Sequence, residues 1–138
     1  MSGLTTVILA AGEGKRMRSR HPKALHLLCG RPLIAYPLRV AQSLGARVVL
    51  VVGRHSEEVR RALGPAENLT FVEQKERLGS GHALREARGA CGNGPETILV
   101  LPCDHPLLSE ASLRRLVEQH RASGAAVHAR CVDLTPAT

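Results

Sequence analysis

Glycines and positive charges are concentrated in one short stretch near the start of the chain. Residues 9–25, LAAGEGKRMRSRHPKAL, follow an apolar segment. Glycine lets backbone amides approach phosphate oxygens closely, and basic side chains supply the opposite charge. We therefore expect residues 11–22 to hold a phosphate group, with a solvated basic turn as the alternative. The glycines are Gly12 and Gly14, and the nearby basic residues are Lys15, Arg16, Arg18 and Lys23.

Two common phosphate-binding motifs do not fit this stretch. The dinucleotide fingerprint needs a small residue three positions after its second glycine, where this chain has Met17. A Walker loop needs Gly-Lys followed by Ser or Thr, whereas Arg16 follows Lys15 here. If the loop binds phosphate, it does so through another motif.

Asp104 is the acid at the end of an otherwise apolar segment, TILVLPCD. A rigidly positioned carboxylate that faces a basic, phosphate-holding loop is suited to bind Mg²⁺. The alternative is a turn or helix-capping aspartate, because Pro106 and Ser109 follow. We keep both interpretations open on spacing alone.

The segment QKERLGSGHA, residues 74–83, combines an amide side chain with a Gly-Ser-Gly turn. The amide of Gln74 can pair with a base edge through a donor and an acceptor together. The backbone amides of Gly79 and Ser80 could reach a base or a ribose. The alternative role for Ser80 is to cap the helix that follows, and the two roles are compatible.

Zinc and nucleophilic catalysis fit the sequence poorly. His82 and His105 lie in these candidate loops but have no zinc-ligand spacing. Cys103 could be a nucleophile, although a cysteine next to an apolar strand is more often a packing residue.

These candidate residues lie between alternating strand and helix patterns, which predict an α/β fold with a Rossmann-like, doubly wound, mostly parallel sheet. In such sheets ligands bind beyond the carboxyl ends of the strands, where the three candidate loops fall. We predict strands over residues 5–10, 47–52, 69–73, 97–102 and 125–132, and helices over residues 32–45, 56–64, 79–90 and 109–124. The helices over residues 56–64 and 109–124 are expected to be capped by their first serines, Ser56 and Ser109.

Composition limits the classes of partner. The 138 residues suit one domain, and the net charge of +7 favours an anionic partner. Nucleic acid is disfavoured, because Tyr36 and Phe71 offer little stacking surface and no nucleic-acid motif occurs. We expect no signal peptide and no membrane span, and a cytoplasmic protein whose four cysteines are reduced, buried thiols.

The motifs VILAAGEGKRM…HPKALH, EQKERLGSGHA and ILVLPCDHPLL resemble sugar-nucleotide pyrophosphorylases. Together they are similar to the uridyltransferase domain of the bifunctional bacterial N-acetylglucosamine-1-phosphate uridyltransferase/glucosamine-1-phosphate acetyltransferases, over residues 6–135. The resemblance implies the nucleotide-diphospho-sugar transferase fold, with this chain as an N-terminal portion. The family's later sugar-binding residues, second metal ligand and trimerising β-helix would follow the last residue here. We therefore expect a fragment without the family's trimerisation region, for which an oligomer is still possible.

The resemblance also implies roles for individual residues. Arg16 and Lys23 would bind the triphosphate and stabilise charge during catalysis, and Asp104 would bind the catalytic Mg²⁺. The expected nucleotide-binding residues are Leu9, Ala10, Ala11, Gly12, Gly14, Lys23, Gln74, Gly79, Ser80, Cys103 and Asp104.

The activity implied by the resemblance is transfer of UMP from UTP to N-acetylglucosamine 1-phosphate, which gives UDP-N-acetylglucosamine and pyrophosphate. Pro102 and Cys103 stand where this family usually has an aromatic or small residue and then glycine. That departure is closer to the molybdopterin cofactor nucleotidyltransferases, so a cytidylyl- or guanylyltransferase is an alternative. A non-catalytic nucleotide-binding domain is another.

Overall fold

The computed structural model describes residues 1–12, 20–94 and 97–129. Its centre is a four-stranded sheet with the order β5-β4-β1-β6, in which every neighbouring pair is parallel. The strands are β1 (Leu4–Ala10), β2 (Leu27–Leu28), β3 (Arg31–Pro32), β4 (Arg47–Val52), β5 (Leu69–Glu73) and β6 (Thr97–Pro102), and the helices are α1 (Ala35–Ser43), α2 (Ser56–Leu63), α3 (Ser80–Ala87) and α4 (Glu110–Ser123).

The two inner strands, β1 and β4, consist almost entirely of buried residues. Apart from Thr5, Thr6 and Arg47 their residues are apolar, as expected for strands that are covered on both faces. They pair in register from Thr5 opposite Arg47 to Ala10 opposite Val52, so their carboxyl ends lie side by side. On its other side β1 pairs with β6, from Leu4 opposite Thr97 to Leu9 opposite Pro102.

Helices cover both faces of the sheet, and two apolar clusters fill the space between the layers. On one face, Ile8, Leu50 and Leu101 pack with residues of α1, α2 and α4. On the other face, Val7, Val49 and Val51 pack against Ala83 and Ala87 of α3. The predicted α/β fold with a parallel, doubly wound sheet is therefore confirmed.

A short hairpin that the sequence did not predict lies between β1 and α1. Strands β2 and β3 pair antiparallel through a turn at Cys29 and Gly30. The φ angles of these two residues are 51° and 76°, the left-handed pair that tight hairpin turns require. A 3-10 turn over Lys23–Leu25 precedes the hairpin.

Two local predictions were wrong and one was confirmed. Residues 125–129 form no strand and are exposed, and the rest of the predicted strand over residues 125–132 lies outside the described residues. Ser56 does not cap α2, since His55 is the capping position and makes no side-chain capping bond. Ser109 caps α4 as predicted, because its Oγ accepts a hydrogen bond from the Ser112 amide at 3.2 Å.

The expectation of buried cysteines holds only in part. Cys91 and Cys103 are buried free thiols, whereas Cys29 is exposed at the tip of the hairpin. Cys131 lies outside the described residues.

Candidate functional site

The sheet order defines where a ligand would bind. The chain runs outward from β1 to β4 and β5, then crosses to β6 on the other side of β1. Open α/β sheets bind ligands beyond the carboxyl ends of the strands at such a reversal. The reversal here lies between β1 and β6, and the Cys103 amide extends their pairing by donating to the Leu9 carbonyl at 3.2 Å. The loops that follow β1 and β6 are thus brought together.

Lys23 and Asp104 form an ion pair at this reversal. Lys23 is placed by the 3-10 turn, in which the neighbouring Ala24 is fully buried and accepts a backbone hydrogen bond from Ile34 at 3.1 Å. Asp104 follows the end of β6, and its second carboxylate oxygen lies 3.0 Å from Nδ1 of His105. The structure therefore joins the basic stretch and the acid that sequence analysis selected separately.

The carboxyl group of Asp104 is held in its ionised form. Partial burial by itself raises its pKa, but the hydrogen bond and charge of Lys23, a backbone hydrogen bond and His105 outweigh burial and lower the pKa overall. Asp104 therefore carries its negative charge at neutral pH and can bind a cation.

Cys103 is not chemically prepared to act as a nucleophile. Its side chain is buried in the main apolar cluster. Burial, helped by the nearby charge of Asp104, raises the pKa of the thiol to about 11 although Lys23 opposes the shift. The attacking form of cysteine is the thiolate, which this environment suppresses. The backbone of Cys103 can border the site, while its thiol packs in the apolar core.

The carboxyl end of β1 approaches the loop after β4 very closely. A Cβ atom on Gly53 would lie 2.9 Å from the carbonyl oxygen of Ala11, so only glycine fits there. Ala10 is buried, whereas Gly12 is exposed at the start of the next loop. This close packing leaves the backbone after β1 as the wall of a narrow cleft, lined in part by Ala10, Ala11, Gly12 and Gly53.

Two arginines line the same cleft and were missed by the sequence analysis. Arg54 follows β4, and Arg77 follows β5. Both lie in loops that follow the carboxyl ends of strands, two residues after β4 and four after β5, and that position was the signal that could have found them. They add positive charge to the edge of the sheet where the basic stretch after β1 begins.

Gln74 lies at the far end of the same edge, after β5. Its side chain is only 4% exposed, and its backbone amide donates to the Val52 carbonyl at 2.8 Å. Its Nε2 donates to the Gly79 carbonyl at 3.2 Å and lies 2.9 Å from Nδ1 of His82. Gly79 is the capping position of α3, and Ser80 is the first helical residue; both are exposed. The predicted cap role of Ser80 is wrong by one position.

The site residues are spread along one sheet edge. From β5, which carries Gln74, to β6, which carries Asp104, there are three interstrand steps, or about 14 Å at the usual spacing. An elongated ligand would be needed to touch both ends. Arg16 and Gly14, with Lys15 and Arg18, lie outside the described residues.

The chain matches a known protein family over nearly its whole length. A family model described as the MobA-like NTP transferase domain matches residues 6–134. The chain belongs to the MobA-like NTP transferase family. Its Lys23–Asp104 pair and its glycine-containing cleft therefore lie in a domain whose family name describes transfer from a nucleoside triphosphate.

Curated relatives confirm the resemblance inferred from the motifs. The bifunctional protein GlmU of Geobacter metallireducens is 39% identical over 128 residues, which are 92% of this chain and 27% of that protein. GlmU of Pelobacter propionicus is 44% identical over 128 residues, which are 92% of this chain and 28% of that protein. The chain thus spans about a quarter of the length of these relatives.

Several solved structures share the fold of this chain. Rv0371c from Mycobacterium tuberculosis H37Rv superposes with a TM-score of 0.72 at 29% identity, over 86% of this chain and 61% of that one. The same protein has been solved in complex with manganese, with a TM-score of 0.72 at 25% identity over 86% and 60%. UDP-glucose pyrophosphorylase from Acinetobacter shows the fold alone, with a TM-score of 0.75 at 21% identity over 88% and 53%.

Among the residues described, no helix has the length and apolar character needed to cross a lipid bilayer.

Proposed function

We propose that the chain is the single nucleotide-binding domain of a sugar-1-phosphate nucleotidyltransferase. The reaction we propose transfers UMP from UTP to N-acetylglucosamine 1-phosphate and releases pyrophosphate. Family membership and the GlmU relatives support the class of reaction. Since the relatives are about four times as long, the substrates of the whole protein are part of the proposal.

The observation that carries the proposal is the Lys23–Asp104 pair at the reversal of strand order. A cation and an ionised carboxylate meet beside a cleft whose wall is exposed backbone after β1. That combination suits a magnesium-bound triphosphate, because Lys23 can contact phosphate oxygens while Asp104 contacts the metal. A solvated basic turn would not require this pairing with the carboxylate after β6.

The residues present fit a magnesium ion that arrives with the nucleotide. In the described part of the chain no three acidic, histidine or cysteine side chains converge on one point, so a cage built only from protein ligands is not found there. Mg²⁺ commonly takes one or two carboxylates and completes its shell with substrate phosphates and water. Asp104 can supply one such carboxylate, and a bound Mg²⁺ would neutralise phosphate charge.

The contribution of the protein to the reaction is positioning and charge. A phosphate oxygen of the sugar phosphate attacks the α-phosphorus of UTP, the bond to the β-phosphate oxygen breaks, and pyrophosphate leaves. Lys23 and Arg16 would stabilise the charge on the phosphate oxygens during this exchange, and losing either would cost about 10²–10³-fold in rate. No covalent intermediate is needed, in keeping with the raised pKa of the Cys103 thiol.

Gln74, Gly79 and Ser80 are proposed to bind the nucleoside at the β5 end of the edge. A second candidate keeps the reaction and uses CTP or GTP, and Pro102 and Cys103 before Asp104 favour it.

We further propose that the protein works in the cytoplasm, since free thiols at Cys29, Cys91 and Cys103 are typical of a reducing compartment.

Calorimetric titration of the chain with UTP, CTP, GTP and ATP, each with and without Mg²⁺, tests the proposal. We expect UTP to bind most tightly and Mg²⁺ to strengthen that binding. In Asp104→Asn the Mg²⁺ enhancement should disappear, whereas the exposed-residue control Glu118→Gln should retain it. Preference for CTP or GTP would support the second candidate, and binding of none of the four would refute the nucleotide site.

A further inference from the structure

The orientation of the Gln74 side-chain amide is determined by its neighbours. Its Nε2 faces the Gly79 carbonyl oxygen at 3.2 Å, and a carbonyl oxygen can only accept a hydrogen bond. The amide atom at that position must therefore be the NH₂ nitrogen. Gly79 is itself held in place, because its carbonyl also accepts from the Ala83 amide at 3.1 Å in the first turn of α3.

The second hydrogen of the same NH₂ group is directed to His82. Nδ1 of His82 lies 2.9 Å from Nε2 of Gln74, so Nδ1 must accept and the ring proton must be on Nε2. On that side Nε2 lies 3.4 Å from a carboxylate oxygen of Glu86, one turn further along α3. The chain Glu86–His82–Gln74 is thus consistent in its donors and acceptors from end to end.

One atom of the amide is left for a ligand. Both hydrogens of Gln74 are directed to protein acceptors, and no hydrogen-bond partner of Oε1 is found within residues 1–12, 20–94 and 97–129. Among the described residues, the buried polar atoms that lack a partner are Oγ1 of Thr6 and Nε2 of His26. Oε1 of Gln74 is not one of them, so this oxygen, without a partner in the described residues, is accessible rather than sealed in the core. The side chain therefore presents an acceptor only, rather than the donor and acceptor together that the sequence analysis considered.

We infer that His82 is a positioning residue that holds the Gln74 amide with its oxygen toward the nucleotide, so that the site selects bases that present an N–H group. This inference rests on the proposed function, in which Gln74 contacts the base. Uracil and guanine carry a ring N–H, whereas cytosine and adenine carry an unprotonated nitrogen at the corresponding position. Without His82 the amide keeps one fixing contact, and its preference for a donor edge weakens.

Two substitutions separate hydrogen bonding from packing. His82→Leu removes the acceptor, and His82→Asn replaces the ring with an amide whose oxygen can take the place of Nδ1. Both remove the imidazole and lose its packing, so a purely structural role predicts equal effects. His120→Leu, on α4 at the opposite face of the sheet, is the matched histidine control.

The test combines nucleotide titration with nuclear magnetic resonance of the full chain. We expect wild type to prefer UTP over CTP by about tenfold or more, as one well-placed hydrogen bond allows, and His82→Leu to lose most of that preference. His82→Asn and His120→Leu should keep it. Nitrogen-15 spectra of the free chain should show the His82 ring proton on Nε2, and the Gln74 NH₂ resonances should move in His82→Leu but stay near their positions in His82→Asn.

Each result decides between the inference and its alternatives. A ring proton on Nδ1 of His82, or an unchanged Gln74 NH₂ resonance in His82→Leu, would overturn the positioning role without any nucleotide present. An unchanged UTP preference in His82→Leu, or equal losses in the leucine and asparagine variants, would overturn the link to base selection. If wild type binds none of the nucleotides, the proposed function fails, and the spectra alone decide whether His82 orients Gln74.

Discussion

Replacing Lys23 with methionine separates its contribution to folding from its contribution to nucleotide binding. Methionine keeps the apolar stem but removes the charge that faces Asp104. The side chains of Lys23 and Asp104 are 34% and 29% exposed, so solvent screens the pair substantially. We expect Lys23→Met to lower the free energy of unfolding by about 1 kcal/mol or less.

The effect on nucleotide affinity should be larger. A hydrogen bond from a charged group to phosphate contributes about 1.5–3 kcal/mol, which corresponds to a UTP affinity about ten- to a hundredfold weaker in Lys23→Met. Urea unfolding measures the first quantity, and calorimetric titration with UTP and Mg²⁺ measures the second. Arg115→Met removes an exposed charge from α4 and should change neither.

The stability difference should also depend on pH in a defined direction. The pKa of Asp104 is lowered in the folded protein from its ordinary value of 3.8. Folding is therefore stabilised by this group above pH 3.8, and that stabilisation is lost as the pH falls through the lowered folded pKa. Wild type and Lys23→Met should differ at pH 7 and converge in strong acid. An unchanged UTP affinity, or a stability gap that widens in acid, would refute the reasoning.

Three further predictions concern the core, the thiols and the helix caps. Gly53→Ala should destabilise the fold by about 1–3 kcal/mol in urea unfolding, because the new methyl group meets a backbone carbonyl at 2.9 Å; an unchanged midpoint would show that the two loops can separate. Iodoacetamide at neutral pH should label exposed Cys29 and leave Cys103, with its pKa of about 11, unmodified by mass spectrometry; early labelling of Cys103 would contradict its burial. Ser109→Ala should cost about 1 kcal/mol and Ser56→Ala much less, since only the first makes a capping bond; equal costs would contradict this assignment.

Strand prediction succeeded both for the buried strand β4 and for β5, whose residues are only partly buried or exposed. The boundaries of β4, β5 and β6 agree with the sequence-based prediction because each is an apolar or β-branched run bounded by breakers. The predicted strand over residues 125–132 failed for its described part, because a strand needs a hydrogen-bonded neighbour and Ala125 and Ala126 have low strand propensity. The hairpin was missed because two-residue strands show no periodicity and its turn lacks an Asn-Gly pair.

The sequence predicted the individual residues of the candidate site better than the contacts between them. The position of Asp104 followed from its place after an apolar strand, and the basic stretch followed from its composition. Their pairing through Lys23 could not be read from spacing, because it depends on β1 and β6 being neighbours although β4 and β5 come between them in the chain. The contact of Gln74 with His82 depends on the turn at Gly79, whose φ of 101° suits glycine.

The central position of β1 has a consequence for the order in which the protein can fold. Strand β1 leaves the ribosome well before β6, with which it pairs, because their partner residues are about ninety positions apart, as in Leu4 opposite Thr97. Until β6 has been synthesised, one side of β1 lacks its final neighbour, and local contacts cannot replace it. Such distant pairing slows folding, because the loop must close before the contact stabilises it. The ion pair between Lys23 and Asp104 belongs to the same late step, so the candidate site forms only as β6 docks.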